Sequence, residues 1–563
     1  MTRRDIIAVV LLAGLAAASW LPRLRGPIDL RWDGGTYYVL GTSLAQGRGY
    51  RLLDEPGEIL ETQYPPMLPL IVAAHQLVLG TSDFVTVGEW LRRSAFVLFL
   101  AYVSLVYVML RRFLPLGYAA LGTAVCLLQI HTMFMSDMNF PEIPFATATI
   151  LFVLCNVGAW PKRFRALSVP LAIIAFALRT VAVALLAAWA FESLCRREFR
   201  TTVVRMLIAG AVVLSWSGYI FYVESTREYQ TPAYSYQRAD YNYSNVSYAR
   251  NMRYIDPFSP ELGDISLASR VKQFVTNVGY LQVSLAEAVS TKAKMWELLR
   301  WDANRRLGIT LLPEWAVPAT LYFLAGLIVG GVGLLLLQGQ YLIPFYIVFS
   351  CAVLCSTPWP GQFNRYLTPV APFLSLSFFM AIRYGAEWCS QWFPRRQKAV
   401  ATTLAGAAAA LVLVPQFATV VLMLAKWHPI ATYDGTNGRR MAYRLFGYED
   451  GHRATDAGLD WIKQHARGGE VVASTDPGWT YLRTGLKSVV PPFELDAQKA
   501  QAQLDEVPVR YLIVDEGNYK KYTTRVVAQS PDRWRRVFTD QIRPEDPTQP
   551  LGTFEIYERV DGR

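Results

Sequence analysis

Read for hydropathy, the chain is a series of apolar blocks about 16–25 residues long that runs to about position 426 and then stops. Blocks of that length span a bilayer as helices. The first covers about 6–22, and an outer segment of residues 23–90 follows it, in which 33–46 and 66–79 read as short amphipathic helices lying on the membrane. Further spans are expected at about 93–110, 117–135 and 143–159. A tight pair follows at about 166–178 and 180–194, and then a span at 203–223. Residues 224–312 read as a long polar loop rich in tyrosine (229, 234, 236, 241, 243, 248, 254). Spans at about 315–337, 341–357, 367–384 and 399–426 complete the series, about eleven in all.

Basic clusters orient these spans. Arg3-Arg4, Arg111-Arg112, Lys162-Arg163, Arg196-Arg197 and Arg395-Arg396 all fall on one side when successive spans alternate, and that side is cytoplasmic by the positive-inside rule. The N-terminus is then cytoplasmic, and the odd number of spans places the C-terminus outside. The Met1–Leu21 stretch also has the n-region and h-region of a signal peptide, but the many later spans favour a retained anchor.

From about residue 428 the pattern changes. Residues 456–465 form an amphipathic helical stretch, while 470–474, 507–515 and 553–558 read as strands. Helices interleaved with strands predict a small soluble α/β domain over 428–563, attached to a transmembrane domain over 1–427. No glycine-rich phosphate-binding turn follows any of these strands, which argues against a nucleotide site, and no internal repeat is visible.

Composition agrees with this class. Of 563 residues, 53% are hydrophobic and only 18% charged, against roughly 25% charged in soluble domains. The net charge of +11 is assigned to cytoplasmic loops rather than to nucleic-acid binding. All six cysteines (126, 155, 195, 351, 355, 389) lie in or beside apolar blocks, with neither a disulfide framework nor zinc spacing.

The most informative polar stretch is Arg31-Trp32-Asp33-Gly34-Gly35-Thr36-Tyr37-Tyr38, with Gly47-Arg48-Gly49-Tyr50 and Tyr64-Pro65-Pro66 after it. Asp33 falls at a membrane surface between apolar segments, and Tyr37 lies on the same helix face at i+4. An Asp before Gly-Gly is also a common helix N-cap. Two further acids, Asp137 and Glu142, occupy the turn before the 143–159 span, and Glu142 at a helix start complements the helix dipole. Arg179 interrupts two apolar segments, where an isolated guanidinium costs roughly 2.5–3.5 kcal/mol, so it must meet water, protein or an anion. Arg365 and Tyr366 open a late span in Asn364-Arg365-Tyr366-Leu367-Thr368-Pro369. His75 and His131, even with Glu58 or Glu61, lack metal-ligand spacing.

These motifs, in this order and on this side of the membrane, resemble the GT-C glycosyltransferases, and more narrowly the bacterial protein mannosyltransferase and aminoarabinose transferase families. The resemblance implies a polytopic α-helical GT-C fold carrying an outer domain. It implies an inverting transfer of sugar from a polyprenyl-phosphate donor to a glycan, lipid or protein acceptor at the outer face of a bacterial inner membrane. Asp33 corresponds to the family's loop acid, the base that activates the acceptor. Glu142 matches a Ser-Glu-x-Pro-Phe element, although Asp137 is an alternative register for the second acid. Arg179 and Arg365 correspond to phosphate-binding arginines, and Tyr37, Tyr38, Tyr64 and Tyr366 would line the site. Tyr64 stands where the aminoarabinose branch has a lysine before Pro-Pro that meets the lipid phosphate, so an arginine must take that role here. The superfamily also admits a divalent cation beside Asp33, which this sequence does not require. A ligase using a lipid diphosphate and a lipid or sugar transporter are the competing readings. Ionisable residues gathered at outer span ends rather than deep in the spans argue against transport.

Overall fold

A computed structural model of the protein describes residues 2–158, 161–308, 313–425, 430–434, 440–544 and 550–560. Among these, five helices are long and apolar enough to cross a membrane: Arg3–Arg23, Phe84–Arg111, Phe199–Ser225, Ala316–Leu337 and Pro394–Ala425. Two more spans are bent pairs. Leu116–Leu128 turns by 60° into Ile130–Ser136, and Pro360–Leu367 turns by 80° into Ala371–Ser390. The other four expected spans are present as shorter helices: Glu142–Asn156, Ser168–Leu178, Val183–Cys195 and Leu342–Cys355. Each is shorter than the roughly 20 residues of a full crossing.

The first bend has a local cause. Gln129 leaves the helical region (ψ 124), and its side-chain oxygen accepts the N–H of Thr132 at 2.6 Å, which starts the next helix. The bundle closes tightly where Gly331 meets Ala371–Ser390: a Cβ there would lie 1.7 Å from the Ser377 carbonyl oxygen. At the opposite end of the first helix from the outer loop, Asp5 accepts from Arg111 Nε at 2.8 Å and from Tyr107 at 2.9 Å. The first helix and Phe84–Arg111 therefore run antiparallel, with their basic ends on one side.

Two loop expectations change. Helix Asp33–Ala45 is not a membrane-lying amphipath: Gly34 through Ser43 are buried, between Met67–Leu79 and the tail helix Pro477–Thr484. Gly35 and Gly478 make this approach fit, since a Cβ on either would come within 2.9 Å of the other segment's backbone. The 224–312 segment is not irregular throughout either. It contains helices Leu267–Val289 and Ala293–Leu307, the first packed on Ala316–Leu337 and Phe363–Leu367.

The tail is an α/β domain with more elements than its sequence pattern suggests. Its five-stranded sheet has the order Lys487–Val489, Val471–Ala473, Val509–Val514, Gly552–Arg559, Trp534–Ile542. The first three strands are parallel and the last two antiparallel. Helices Asp450–His465, Pro477–Thr484, Ala497–Glu506 and Lys520–Gln529 cover it. Val509–Val514 is central and, from Tyr511 on, buried without a break, hence the apolar run Tyr511 to Val514. Lys487–Val489 is too short to alternate, and Trp534–Ile542 carries the charges of an edge strand. Ser488 donates its backbone N–H to Asp54 O at 2.8 Å, seating the sheet edge on the first loop.

Candidate functional site

The helix that carries Asp33 starts at Asp33 itself. Trp32 takes the N-cap position, with φ at 56°, and no side chain caps the helix from there. Asp33 is therefore not an N-cap, and its carboxylate faces side chains brought from elsewhere. Oδ1 accepts the Tyr64 hydroxyl at 3.0 Å, and Oδ2 accepts Arg365 Nη2 at 2.6 Å. Arg365 also donates through Nε to Glu142 Oε1 at 2.7 Å, so one guanidinium joins the two acids. Glu142 opens its helix behind Pro141 and is fully buried. Arg179 is a second donor to the same Oε1, while Oε2 has no hydrogen-bond partner among the described residues.

Local structure explains each placement. Arg179 is in extended backbone at the break between Ser168–Leu178 and the turn Thr180–Ala182, so it is free of either helix's side-chain register. Arg365 lies in the short helix Phe363–Leu367, just before the 80° bend. It stacks 4.3 Å over Phe140, and Arg179 stacks 5.1 Å over Tyr366. Two carboxylates and two guanidiniums thus form a cluster of zero formal charge. Its arginines remain 16% and 18% exposed.

Aromatic rings wall this cluster. Tyr37 meets Tyr64 edge-on at 5.0 Å, and Tyr64 meets Tyr243 at 6.4 Å. Tyr243 and Tyr248 then pack on Trp359 at 5.6 and 5.3 Å. Burial, with the charge of Asp33 next, holds the Tyr37 and Tyr64 phenols well above their usual range, so both act as neutral hydrogen-bonding groups. At the end of Ser168–Leu178 away from Arg179, an apolar cavity of about 540 Å³ is lined by Leu151, Phe164, Leu167, Pro170, Leu171 and Ile174.

The structure therefore gathers Asp33, Glu142, Arg179, Arg365, Tyr37, Tyr64 and Tyr366, and it separates two expected members. Tyr38, one position on from Tyr37, points about 100° around the helix and donates its hydroxyl to Ser82 O at 2.9 Å. Asp137 is buried elsewhere, between Arg92 at 2.7 Å and Arg23 at 3.3 Å, and accepts the Phe446 N–H at 2.7 Å. Its contacts tie the tail's entry to the membrane domain, and the acid paired with Asp33 through Arg365 is Glu142. Tyr243, Tyr248 and Trp359 are additions. The two tyrosines belonged to a tyrosine-rich segment whose other members diverge, with Tyr234 donating to Glu55 and Tyr241 stacking on Phe493.

His75 bonds Ile71 O and Ser94 Oγ, both at 2.8 Å; Glu58 pairs with Lys487 and Glu61 caps Gln63 and Tyr64. Among the described residues, no group of three or more His, Cys, Asp or Glu side chains is arranged for a metal. Arg365 already fills the gap between Asp33 and Glu142, so a cation there would require it to withdraw.

No protein-family model matches the chain, and no curated protein matches it. Solved structures do. The oligosaccharyltransferase of Archaeoglobus fulgidus in its apo form superposes with a TM-score of 0.55 at 11% identity, over 99% of this chain and 74% of that one. The same enzyme in complex with zinc and sulfate gives 0.53 at 12% identity, over 97% and 72%. ArnT from Cupriavidus metallidurans in the apo state gives 0.50 at 10% identity, over 97% of both chains. The fold is that of the GT-C glycosyltransferases. The superpositions span 97–99% of this chain, and at these identities they establish a multi-pass helical fold and leave the chemistry to the residues.

Proposed function

We propose that the protein is an inverting glycosyltransferase that moves a sugar from a polyprenyl-phosphate donor to an acceptor hydroxyl. The observation that carries this reading is the bridge from Asp33 through Arg365 to Glu142, placed beside Arg179 and walled by aromatics. Asp33 is the base. Tyr64 and Arg365 orient its carboxylate, and it accepts the proton of the acceptor hydroxyl as that oxygen attacks the anomeric carbon. The bond from that carbon to the phosphate oxygen breaks on the opposite face. Arg179 and Arg365 stabilise the departing lipid phosphate, and bidentate guanidinium recognition suits that anion. Glu142 positions both arginines. Tyr37, Tyr64, Tyr243 and Trp359 offer ring faces of the kind that pack on sugars.

Orientation follows from the basic ends. Arg3, Arg4, Arg111 and Arg112 lie at the end of the first two spans remote from Asp33, which supports a site and tail on the outer side of a bacterial inner membrane. Being GT-C-like in fold, as oligosaccharyltransferase and ArnT are, adds support for lipid-linked transfer. Purified protein incubated with radiolabelled polyprenyl-phosphate sugars and, in parallel, polyprenyl-diphosphate glycans tests the donor class. Label transferred from the monophosphate is expected. Transfer from the diphosphate alone would replace this reading with a glycan ligase.

A further inference from the structure

Two helices meet head to head next to Asp33. One, Asp33–Ala45, carries the proposed base; the other, Pro477–Thr484, belongs to the tail. Asp476 sits between them. Its Oδ1 accepts the N–H of Trp479, capping its own helix at 3.2 Å, and its Oδ2 accepts the N–H of Trp32 at 2.6 Å. Trp32 is the N-cap residue of the Asp33 helix and has no side-chain oxygen to offer. In a capping box the N-cap backbone N–H is satisfied by an acid three residues on. Here that partner comes from the tail, 444 positions away.

The residue held this way is in a conformation that a side chain resists. Trp32 has φ 56° and ψ −135°, a region glycine enters freely and other residues enter at a cost. Such a conformation persists only when neighbours over-determine it. The neighbours are named: Asp476 on the N–H, the Gly35–Gly478 backbone contact, Asn139 donating to Gly34 O at 3.1 Å, and the edge-on rings of Phe134 and His452 beside Trp32. The peptide so fixed leads directly into Asp33, whose carboxylate must meet Tyr64 and Arg365 at once.

We infer that Asp476 is a positioning residue: the tail clamps the strained Trp32 peptide and thereby aims the Asp33 carboxylate into the site. The inference rests on the base role proposed for Asp33, and it makes the tail a working part of that site rather than an appended domain. Misplacing a reacting group by about 1 Å costs on the order of 100-fold. Asp476→Ala should therefore lower kcat by roughly 10- to 100-fold and leave the donor KM within about twofold.

A cycle with Trp32→Gly separates clamping from general damage. Glycine accepts the Trp32 conformation without help, so in the Trp32→Gly background Asp476→Ala should cost no more than about threefold. A structural role confined to capping the tail helix would give the same loss in both backgrounds, and that result overturns the inference. Hydrogen exchange over residues 29–36 reads the clamp without any need for turnover: exchange should rise in Asp476→Ala full-length protein, and unchanged exchange refutes the clamp. A wild-type chain inactive with every donor refutes the transferase reading and the base role with it, whereas the exchange result still decides the geometry.

Discussion

Removing Arg365 is the most informative single perturbation of the cluster. In Arg365→Ala, Glu142, which has no exposed surface, keeps only Arg179, and Asp33 keeps only the neutral Tyr64 hydroxyl. Two charge-assisted bonds at 2.6 and 2.7 Å are lost, each worth about 1.5–3 kcal/mol. Breaking a buried pair by deleting one partner typically costs about 3–5 kcal/mol, because the remaining charge stays buried and uncompensated. The cluster also falls from zero formal charge to −1, which repels a phosphate. Donor affinity should therefore drop at least about 100-fold, the equivalent of roughly 2.7 kcal/mol, with thermal stability falling as well. The assay is donor binding and thermal unfolding of the purified protein, run as a double-mutant cycle with Glu142→Gln. Because Glu142→Gln removes the charge that Arg365 neutralises, the two effects should be non-additive by about 1.5–3 kcal/mol. Additive losses, or an Arg365→Ala protein with unchanged affinity and stability, would show that the bridge does not organise the site.

Other expectations follow from burial. Burial, with the adjacent Glu55, pushes Asp54 up to about 8, and burial pushes Glu61 up to about 7. The folded protein then holds protons that the unfolded chain has released, so stability falls as pH rises from about 4 toward 8, at up to about 1.4 kcal/mol per pH unit and carboxyl. Melting curves at pH 5 and pH 8 should show the loss, and Asp54→Asn should flatten it; a Tm that rises over that interval would contradict the assignment. Gly331→Val should abolish stable folding or lower the Tm by many degrees, because its Cβ would overlap the Ser377 carbonyl. A Gly331→Val protein with wild-type melting would mean that the two helices do not meet there.

The parts that could be read from the sequence are those with local signals. Apolar block length and the basic clusters located the long helices, and the order of short motifs brought out Asp33, Glu142, Arg179 and Arg365 before their contacts were visible. What could not be read depends on distant partners. Asp137 looked equivalent to Glu142 because both acids sit in the turn before one span, and only the arrival of Arg92 and Phe446 at Asp137 separates them. Gly34-Gly35 and Asp476-Pro477-Gly478 each announce a helix start, yet nothing local says that the two starts meet. Asp33–Ala45 looked like a surface helix because it is buried between Met67–Leu79 and a tail helix that lies more than 400 residues away.

The central claim, that Asp33 is the base of a lipid-linked sugar transfer, is tested most directly by the Asp33→Asn protein. Its transfer from radiolabelled polyprenyl-phosphate sugar to an added acceptor fraction should be compared with wild type at equal donor occupancy. Label should reach the acceptor with wild type and fall at least about 100-fold with Asp33→Asn, on the scale set by general-base contributions. Full transfer by Asp33→Asn would contradict that claim.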